Sequence, residues 1–138
     1  MPAGYSKRSL VEKLGIKEPG VIAILNPPDG YDATLGPLPE GVTSVARLRP
    51  GLDFIHFFTR QRRELERQFL KLKSSLAPTG ALWISWPKGA SKIATDLSEN
   101  IVREIGLKHG LVDVKVCAVD EVWSGLKFVY RLKDRKAS

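Results

Sequence analysis

The chain has 138 residues, 43% of them hydrophobic, and this size and composition are typical of one folded domain with a buried core. Its 22 Lys and Arg outnumber its 15 Asp and Glu, so the formal net charge is +7 and acidic partners are favoured, although the basic residues are spread along the whole chain. The single cysteine excludes a disulfide framework, and no Cys and His spacing indicates a metal site, so we expect no bound metal.

The first residues contain no apolar stretch of signal-peptide length, and the longest apolar run, residues 21–25, is too short to span a bilayer. We therefore expect a cytoplasmic protein without membrane association. Ser9 and Glu12 form a capping-box pattern, which predicts a short helix from Ser9 that ends at Gly15. Residues 21–25 are five consecutive apolar residues between turn signals, which indicates a strand buried on both faces.

Residues 26–41 contain four prolines and three glycines, which predicts a long loop with one helical turn near residues 31–35. Residues 42–48 then form a short, weak strand pattern. The segment 52–58 is rich in aromatic and β-branched residues and predicts a strong strand.

The clearest helix is predicted for residues 60–76, where apolar side chains recur every three or four positions. The turn signals of residues 78–80 close this helix. A strand follows over residues 81–86 and is stopped by Pro87. Residues 97–109 have the pattern of another helix, which Gly110 ends.

Residues 112–118 alternate valine with polar residues, the pattern of a strand at a sheet edge with one wet face. Residues 126–132 alternate in the same way and form the last strand. The short connection between the two predicts an antiparallel hairpin. Residues 133–138 have the composition of a flexible basic tail.

Strands joined through helices imply parallel pairing with right-handed crossovers. We predict one three-layer, Rossmann-like α/β domain over residues 1–138, with a mostly parallel sheet of about six strands that ends in the hairpin. This layout, together with the stretch 76–85, resembles class I methyltransferases. The chain is shorter than that family and looks like a trimmed version of its topology.

Five short segments carry a second resemblance: residues 4–6, 13–16, 53–58, 86–88 and 123–128. They resemble a family of small bacterial proteins catalogued as a domain of unknown function, number 3052, and the likeness covers nearly the whole chain. The resemblance implies a Rossmann-like fold and a bacterial cytoplasmic setting. It brings no established activity and no catalytic residues.

In an open parallel sheet, ligands bind beyond the carboxyl ends of the strands. We therefore expect any site among the residues at these ends, which are 26–30, 47–49, 59–60, 85–92 and 120–124. A methyltransferase or dinucleotide-binding fold needs glycines after its first strand, yet this chain has Asn26-Pro27-Pro28-Asp29-Gly30. The two prolines fix φ and remove two N–H donors, which argues against the usual binding of S-adenosylmethionine or NAD, so we expect no cofactor. The loop resembles the Asn-Pro-Pro-aromatic motif of methyltransferases that act on the amino groups of nucleic acid bases, but Asp29 replaces the aromatic residue.

The loop of residues 86–92 combines an aromatic residue, two lysines, a serine and a glycine, which suit a phosphate or carboxylate. The alternative is an ordinary solvated loop with its tryptophan packed below. An acidic loop at residues 120–123 is expected on the same rim, where two carboxylates could act as acid and base or form a solvated turn. The candidate ligand-binding residues are therefore Asn26, Asp29, Trp86, Lys88, Ser91, Lys92, Asp120 and Trp123.

Four cations recur at spacings of three, four and four on the predicted helix and would suit a phosphate backbone or form a solvated face. They are Arg60, Arg63, Arg67 and Lys71. His56 lies among aromatic residues of a strand, which favours a hydrogen-bonded core histidine over a catalyst. Cys117 has no visible activating group, which favours a packed thiol.

We interpret the sequence as a non-catalytic Rossmann-like protein that binds a small anionic ligand or a protein partner, with no catalytic residues assigned. One alternative is a divergent S-adenosylmethionine-dependent methyltransferase, and another is a nucleic-acid-binding module. A homo-oligomer formed through an aromatic surface near Trp83, Trp86 and Trp123 also stays open.

Overall fold

A computed structural model describes residues 9–135 as a six-stranded sheet with helices on both faces. The strands are β1 (Gly20–Leu25), β2 (Val42–Val45), β3 (Leu52–Phe58), β4 (Leu76–Pro87), β5 (Leu111–Ala118) and β6 (Trp123–Tyr130). The helices are α1 (Leu10–Leu14), α2 (Tyr31–Leu35), α3 (Arg62–Ser75) and α4 (Glu99–Lys108). The strand order is β2-β1-β3-β4-β6-β5. The first four strands in this order are parallel, and β6 is antiparallel to both β4 and β5.

Each face of the sheet has its own buried core. One core lies under α3 and α4 and is centred on Phe69, Val102 and Phe128. The other lies under α1 and α2 and includes Leu14 and Trp83. The predicted three-layer arrangement with a closing hairpin is confirmed, and β1 lies inside the sheet between β2 and β3, as its apolar run indicates.

Helix α1 shows how local sequence produces local structure. The Ser9 hydroxyl accepts a hydrogen bond from the Glu12 amide, and the Glu12 carboxylate accepts one from the Ser9 amide, so the predicted capping box is present. Gly15 ends the helix with φ of 81°, a left-handed conformation that glycine adopts without steric cost. The helical turn predicted at residues 31–35 is also confirmed as α2.

The helix predicted for residues 60–76 is shorter, because Gln61 has extended backbone and Arg60 lies before α3. The Thr95 hydroxyl donates a hydrogen bond to the Arg60 carbonyl at 2.7 Å, and this contact fixes the segment that precedes α3. The prediction that residues 78–80 form a closing turn is wrong. Strand β4 begins directly after α3 and runs through these residues, with a register irregularity against β3 between Leu52 and Phe54.

Three other strand predictions differ from the structure. β2 ends three residues early, because its pairing with β1 stops at Val45. β6 runs over Trp123–Tyr130 instead of residues 126–132, since its first residue already pairs with Pro87. The expected alternation of β5 fails, and Val114 and Val116 are 54% and 43% exposed. A register shift after Asp113 on this edge strand breaks the alternation.

The chain end predicted as a flexible tail begins with a 3-10 turn at Leu132–Asp134, and the Arg135 guanidinium donates to the Tyr130 carbonyl at 2.8 Å. Residues 136–138 and the resembling segment 4–6 lie outside the described residues. None of the helices in residues 9–135 has the length and apolarity that crossing a membrane requires.

Candidate functional site

The loop after β1 turns sharply at Asn26, whose φ is +55°. Asparagine tolerates this left-handed conformation better than most residues, and here it takes the position where glycine would be favoured. The Pro28 carbonyl accepts a hydrogen bond from the Tyr31 amide at 3.1 Å, so the proline pair leads directly into α2. Because Pro27 and Pro28 have no N–H groups, a ligand at this edge must be held mainly by side chains.

Two depressions of about 420 Å³ each meet at Asn26 and Glu64, at the carboxyl ends of β1 and β3. We call them together the Asn26 cleft. The first is also lined by Leu25, Arg47, Leu48, Phe57, Gln68 and Lys71. The second is also lined by Phe58, Thr59, Arg60, Ile93 and Trp123. This is where open α/β sheets bind ligands.

Glu64 is the one acidic side chain that lines the cleft among residues 9–135. It lies in the first turn of α3, where the positive end of the helix dipole stabilises a carboxylate. The buried Thr59 hydroxyl donates a hydrogen bond to Glu64 Oε1 at 2.5 Å and orients it. Asn26 Nδ2 contacts the Phe58 carbonyl at 3.5 Å, so the loop after β1 is tied to the end of β3.

Three cations line the cleft together with this carboxylate: Arg47, Arg60 and Lys71. All three are exposed, and none makes an ion pair with another residue in the 9–135 range. The cleft therefore presents a single oriented negative charge within a positive field. Such a field attracts ligands with negative groups and lets one positive group bind at Glu64.

The rim loop predicted from the sequence has mostly internal contacts. Trp86 is 4% exposed and packs in the core under α3 and α4, so it cannot serve as a ligand platform. Lys88 Nζ donates to the Asp120 carbonyl at 2.8 Å. The Asp120 carboxylate accepts hydrogen bonds from the amides of Val122 and Trp123, which makes it part of a turn.

The serine of this loop also bonds within it, since the Ser91 hydroxyl donates to the Lys88 carbonyl at 2.7 Å. Lys92 and Asp29 are exposed and lie outside the cleft lining. Trp123 does reach the cleft, where it packs edge-on against Phe58 with ring centroids 5.3 Å apart. Of the eight predicted ligand residues, the structure brings Asn26 and Trp123 together in the cleft.

The predicted helical row of four cations is only partly present. Arg60 precedes α3, because the helix begins at Arg62. Arg63, Arg67 and Lys71 lie on the helix at four-residue spacing and are exposed. The predicted aromatic surface is reduced to Trp123, since Trp83 and Trp86 are both buried, and the homo-oligomer itself stays a prediction.

Glu64 is the charged cleft residue that the sequence did not single out. Arg47, Thr59 and Arg60 are expected there because they lie at the ends of predicted strands, and the structure places all three in the cleft lining. The available signal for Glu64 was its position in the first turn of α3, five residues after Thr59.

A separate polar chain lies buried beneath α2. His56 Nδ1 is 2.7 Å from the Tyr31 hydroxyl, and His56 Nε2 is 2.7 Å from the Ser85 hydroxyl. Burial lowers the pKa of His56 to about 3 and raises that of Tyr31, so both groups stay neutral. His56 and Ser85 are fully buried, which confirms the interpretation of His56 as a hydrogen-bonded core residue.

Metal-ligating side chains do not cluster here: within residues 9–135 no group of three His, Cys, Asp or Glu could hold a metal ion. Burial raises the pKa of the half-buried Cys117 thiol, which keeps it protonated. The cleft is therefore defined by its charges and its apolar walls.

No family model and no curated protein matches the chain. Solved structures do match it. A SAM-dependent methyltransferase from Aquifex aeolicus is 15% identical, with 86% of each chain covered and a TM-score of 0.60. This chain has the fold of S-adenosylmethionine-dependent methyltransferases.

Two further structures extend the likeness. A magnesium protoporphyrin IX methyltransferase from Synechocystis PCC 6803 with bound SAM is 13% identical, with 88% of this chain and 74% of that chain covered and a TM-score of 0.58. A fibrillarin pre-rRNA processing protein from Methanococcus jannaschii is 13% identical, with 83% and 68% covered and a TM-score of 0.57. At such low sequence identity, these structural matches establish the methyltransferase-type fold and nothing finer.

Proposed function

We propose that this protein binds S-adenosylmethionine in the Asn26 cleft and acts as a divergent methyltransferase. The observation that carries the proposal is the position of Glu64, an oriented carboxylate at the carboxyl ends of β1 and β3 in a cleft that Arg47, Arg60 and Lys71 also line. A ligand with an ammonium and a carboxylate on one carbon atom is complementary to this arrangement. S-adenosylmethionine carries both groups in its methionine part.

The walls of the cleft also fit this cofactor. Leu25, Leu48 and Phe57 give the first depression an apolar wall suited to a purine ring. The proline pair removes main-chain donors, so this site differs from a glycine-rich cradle and relies on side chains instead. When bound, the cofactor would supply a methyl group activated by its sulfonium.

This chain's own residues would then bind the cofactor and orient it. Glu64 accepts hydrogen bonds from the ammonium, and Arg47 and Lys71 bind the carboxylate. Trp123 and Phe58 form an aromatic wall that excludes water from the neighbouring depression. A methyl acceptor enters there, beside Arg60.

Calorimetric titration of the full chain tests the proposal. We expect stoichiometric binding of S-adenosylmethionine and of S-adenosylhomocysteine, which share the amino acid group. Glu64→Gln should weaken both by about tenfold or more, since a charge-assisted hydrogen bond is lost. Glu104→Gln, at an exposed glutamate of α4, should leave both affinities unchanged.

Absence of binding for both compounds at about 1 mM would reject the proposal, because cofactors of this class bind far more tightly. Equal affinity of wild type and Glu64→Gln would reject the site. Urea unfolding of Glu64→Gln is measured alongside, since the variant alters the contact with Thr59. Release of S-adenosylhomocysteine in the presence of RNA, protein or small-molecule pools then separates methyl transfer from binding alone.

A second candidate is binding of a phosphate-bearing ligand without catalysis. Cations outnumber carboxylates in the cleft, and Arg60 and Arg63 line a third depression next to it. Inorganic phosphate and adenosine diphosphate serve as the probes. Binding of both that moves the amide resonances of Thr59 and Glu64, combined with indifference to S-adenosylmethionine, would favour this candidate over methyl transfer.

A nucleic-acid interface stays a prediction, because α3 carries an exposed row of three cations, Arg63, Arg67 and Lys71. Mobility shifts with RNA and DNA at two salt concentrations test it, since phosphate contacts give a steep salt slope. The family resemblance to the domain of unknown function number 3052 also stays a prediction. Its segments 53–58, 86–88 and 123–128 fall in β3, at the end of β4 and in β6.

A further inference from the structure

A second pocket lies at the opposite end of the sheet from the Asn26 cleft. It has a volume of about 250 Å³ and is formed between the end of α1 and the early residues of β1 and β3. We call it the lysine pocket. Its polar and charged lining consists of Gly15, Lys17, Asp53, Thr79 and Lys127. The apolar floor comes from the core under α1 and α2.

Positive charge is concentrated at this pocket. Lys127 is half-buried, and its pKa is lowered by burial and then by the nearby ammonium groups of Lys115 and Lys17. Lys115 Nζ donates to the Lys13 carbonyl at 3.1 Å, which holds a further lysine beside the end of α1. An arrangement of like charges of this kind destabilises the fold unless an anion neutralises it.

The lysine pocket has more cations than carboxylates in its described lining. Neither the Lys17 nor the Lys127 side chain makes a hydrogen bond or an ion pair with the rest of the described chain, residues 9–135. Asp53 is the one carboxylate in the lining within that range, and its Oδ2 accepts a hydrogen bond from the Val21 amide at 3.0 Å. Asp53 therefore offsets one of the two positive charges in the lining, and neither ammonium group is held in an ion pair, so both can bind an external anion.

We propose that the lysine pocket is a binding site for a diphosphate group, separate from the Asn26 cleft. The ammonium groups of Lys17 and Lys127 line one small space with Lys115 nearby, and each ammonium offers three donors, which suits an anion with many acceptor oxygens. The volume is below that of pockets that enclose drug-sized molecules. The pocket therefore takes free pyrophosphate or the diphosphate end of a larger molecule whose body stays outside.

Titration of the full chain with pyrophosphate in a chloride buffer tests the proposal. We expect one site with a dissociation constant below about 1 mM. Lys127→Gln should weaken binding by about ten- to hundredfold, since charge-assisted hydrogen bonds are lost. The substitution removes a half-buried charge from a cluster of like charges, so the fold should be retained. Lys108→Gln, at an exposed lysine of α4, is the matched control and should bind like wild type.

Amide chemical shifts locate the ligand. Pyrophosphate should move the resonances of Gly15, Thr79 and Ala81 and leave those of Thr59 and Glu64 in place. Adenosine diphosphate should produce the same shifts if the diphosphate is the recognised group. Shifts confined to the Asn26 cleft, no binding at about 10 mM, or unchanged binding by Lys127→Gln would each overturn the proposal.

The diphosphate proposal and the methyltransferase proposal can fail separately, because they concern different pockets. Lys127→Gln should still bind S-adenosylmethionine like wild type, and Glu64→Gln should still bind pyrophosphate. Loss of both ligands in one variant would indicate a folding defect, which urea unfolding of that variant identifies.

Discussion

The buried chain of Tyr31, His56 and Ser85 shows how single residues determine both stability and pH response. A neutral imidazole has one donor and one acceptor, and here both ring nitrogens have partners at 2.7 Å. His56 also stacks on Phe58, with ring centroids 4.1 Å apart. The cationic form would place a charge in a core without a carboxylate partner in the described chain, which is why the pKa of His56 is depressed.

This depression predicts a loss of stability on acidification. The unfolded chain binds a proton at His56 as the pH falls through the ordinary value of 6.5, whereas the folded chain stays neutral until about pH 3. Protons therefore favour the unfolded chain between these limits, and the His56 contribution should decrease by about 2 kcal/mol from pH 7 to pH 5. Urea unfolding at both pH values measures it.

The variant His56→Gln isolates this contribution. It should be less stable than wild type at pH 7, but its loss of stability on going to pH 5 should be smaller by about the same 2 kcal/mol. Ser44→Ala, at an exposed position of β2 without a titrating group, is the control and should keep the wild-type response. Equal acid responses of wild type and His56→Gln would contradict the role assigned to His56.

At the scale of elements, the contact between α4 and β6 depends on Gly106. A Cβ atom built at this position lies 2.0 Å from Phe128 Cε1, so the helix approaches the strand closely only without a side chain there. Glycine in a helix interior costs about 1 kcal/mol relative to alanine. The close packing of α4 on a fully buried phenylalanine offsets that cost.

Gly106→Ala should therefore lower the free energy of unfolding by about 1–3 kcal/mol, because the overpacking of Phe128 outweighs the gain in helix propensity. Thermal or urea unfolding measures the difference. Gly89→Ala is the control, since a Cβ there has no heavy atom within 4 Å, and it should change stability by less than about 0.5 kcal/mol. A Gly106→Ala variant as stable as wild type would show that α4 can move away from β6.

Elements with a strong periodic pattern could be predicted from the sequence, and the contacts between elements could not. The apolar run of β1, the aromatic run of β3 and the apolar stripe of α3 each predict their element directly. The sequence leaves two interpretations of Trp86 open, an aromatic platform for a ligand or a packed residue, because Pro87 is expected to stop the strand there. In the structure β4 includes Pro87, and Trp86 is its last inward-facing core residue.

The candidate site shows the same limit. Asn26 was identified because loops after parallel strands meet at one edge of the sheet. Glu64 was missed, because its role comes from the Thr59 hydroxyl and from the depressions on either side of it. Lys88 and Asp120 were expected to face a ligand, but the long-range hydrogen bond between them uses the lysine within the fold.

At the scale of the whole molecule, charge is the dominant property. The formal net charge is +7. The ion pairs in residues 9–135 involve two arginines of α3 and α4, Arg62 and Arg103, while the cations of the Asn26 cleft and the lysine pocket have no carboxylate partner there. Folding brings these charges closer together than in the unfolded chain, so their repulsion opposes the folded state.

Added salt should therefore stabilise this protein. Raising NaCl from 0.01 M to 0.1 M shortens the Debye length from about 30 Å to about 10 Å and screens repulsion between distant cations. We expect the free energy of unfolding to rise by a few tenths of a kcal/mol to about 1 kcal/mol, as measured by urea unfolding at each salt concentration. Lys127→Gln should show a smaller rise than Lys108→Gln, because Lys127 lies among other lysines whereas Lys108 is exposed on α4. A wild-type stability that falls with added salt would contradict this prediction. It would mean that attractive charge pairs outweigh the repulsion between the unpaired cations.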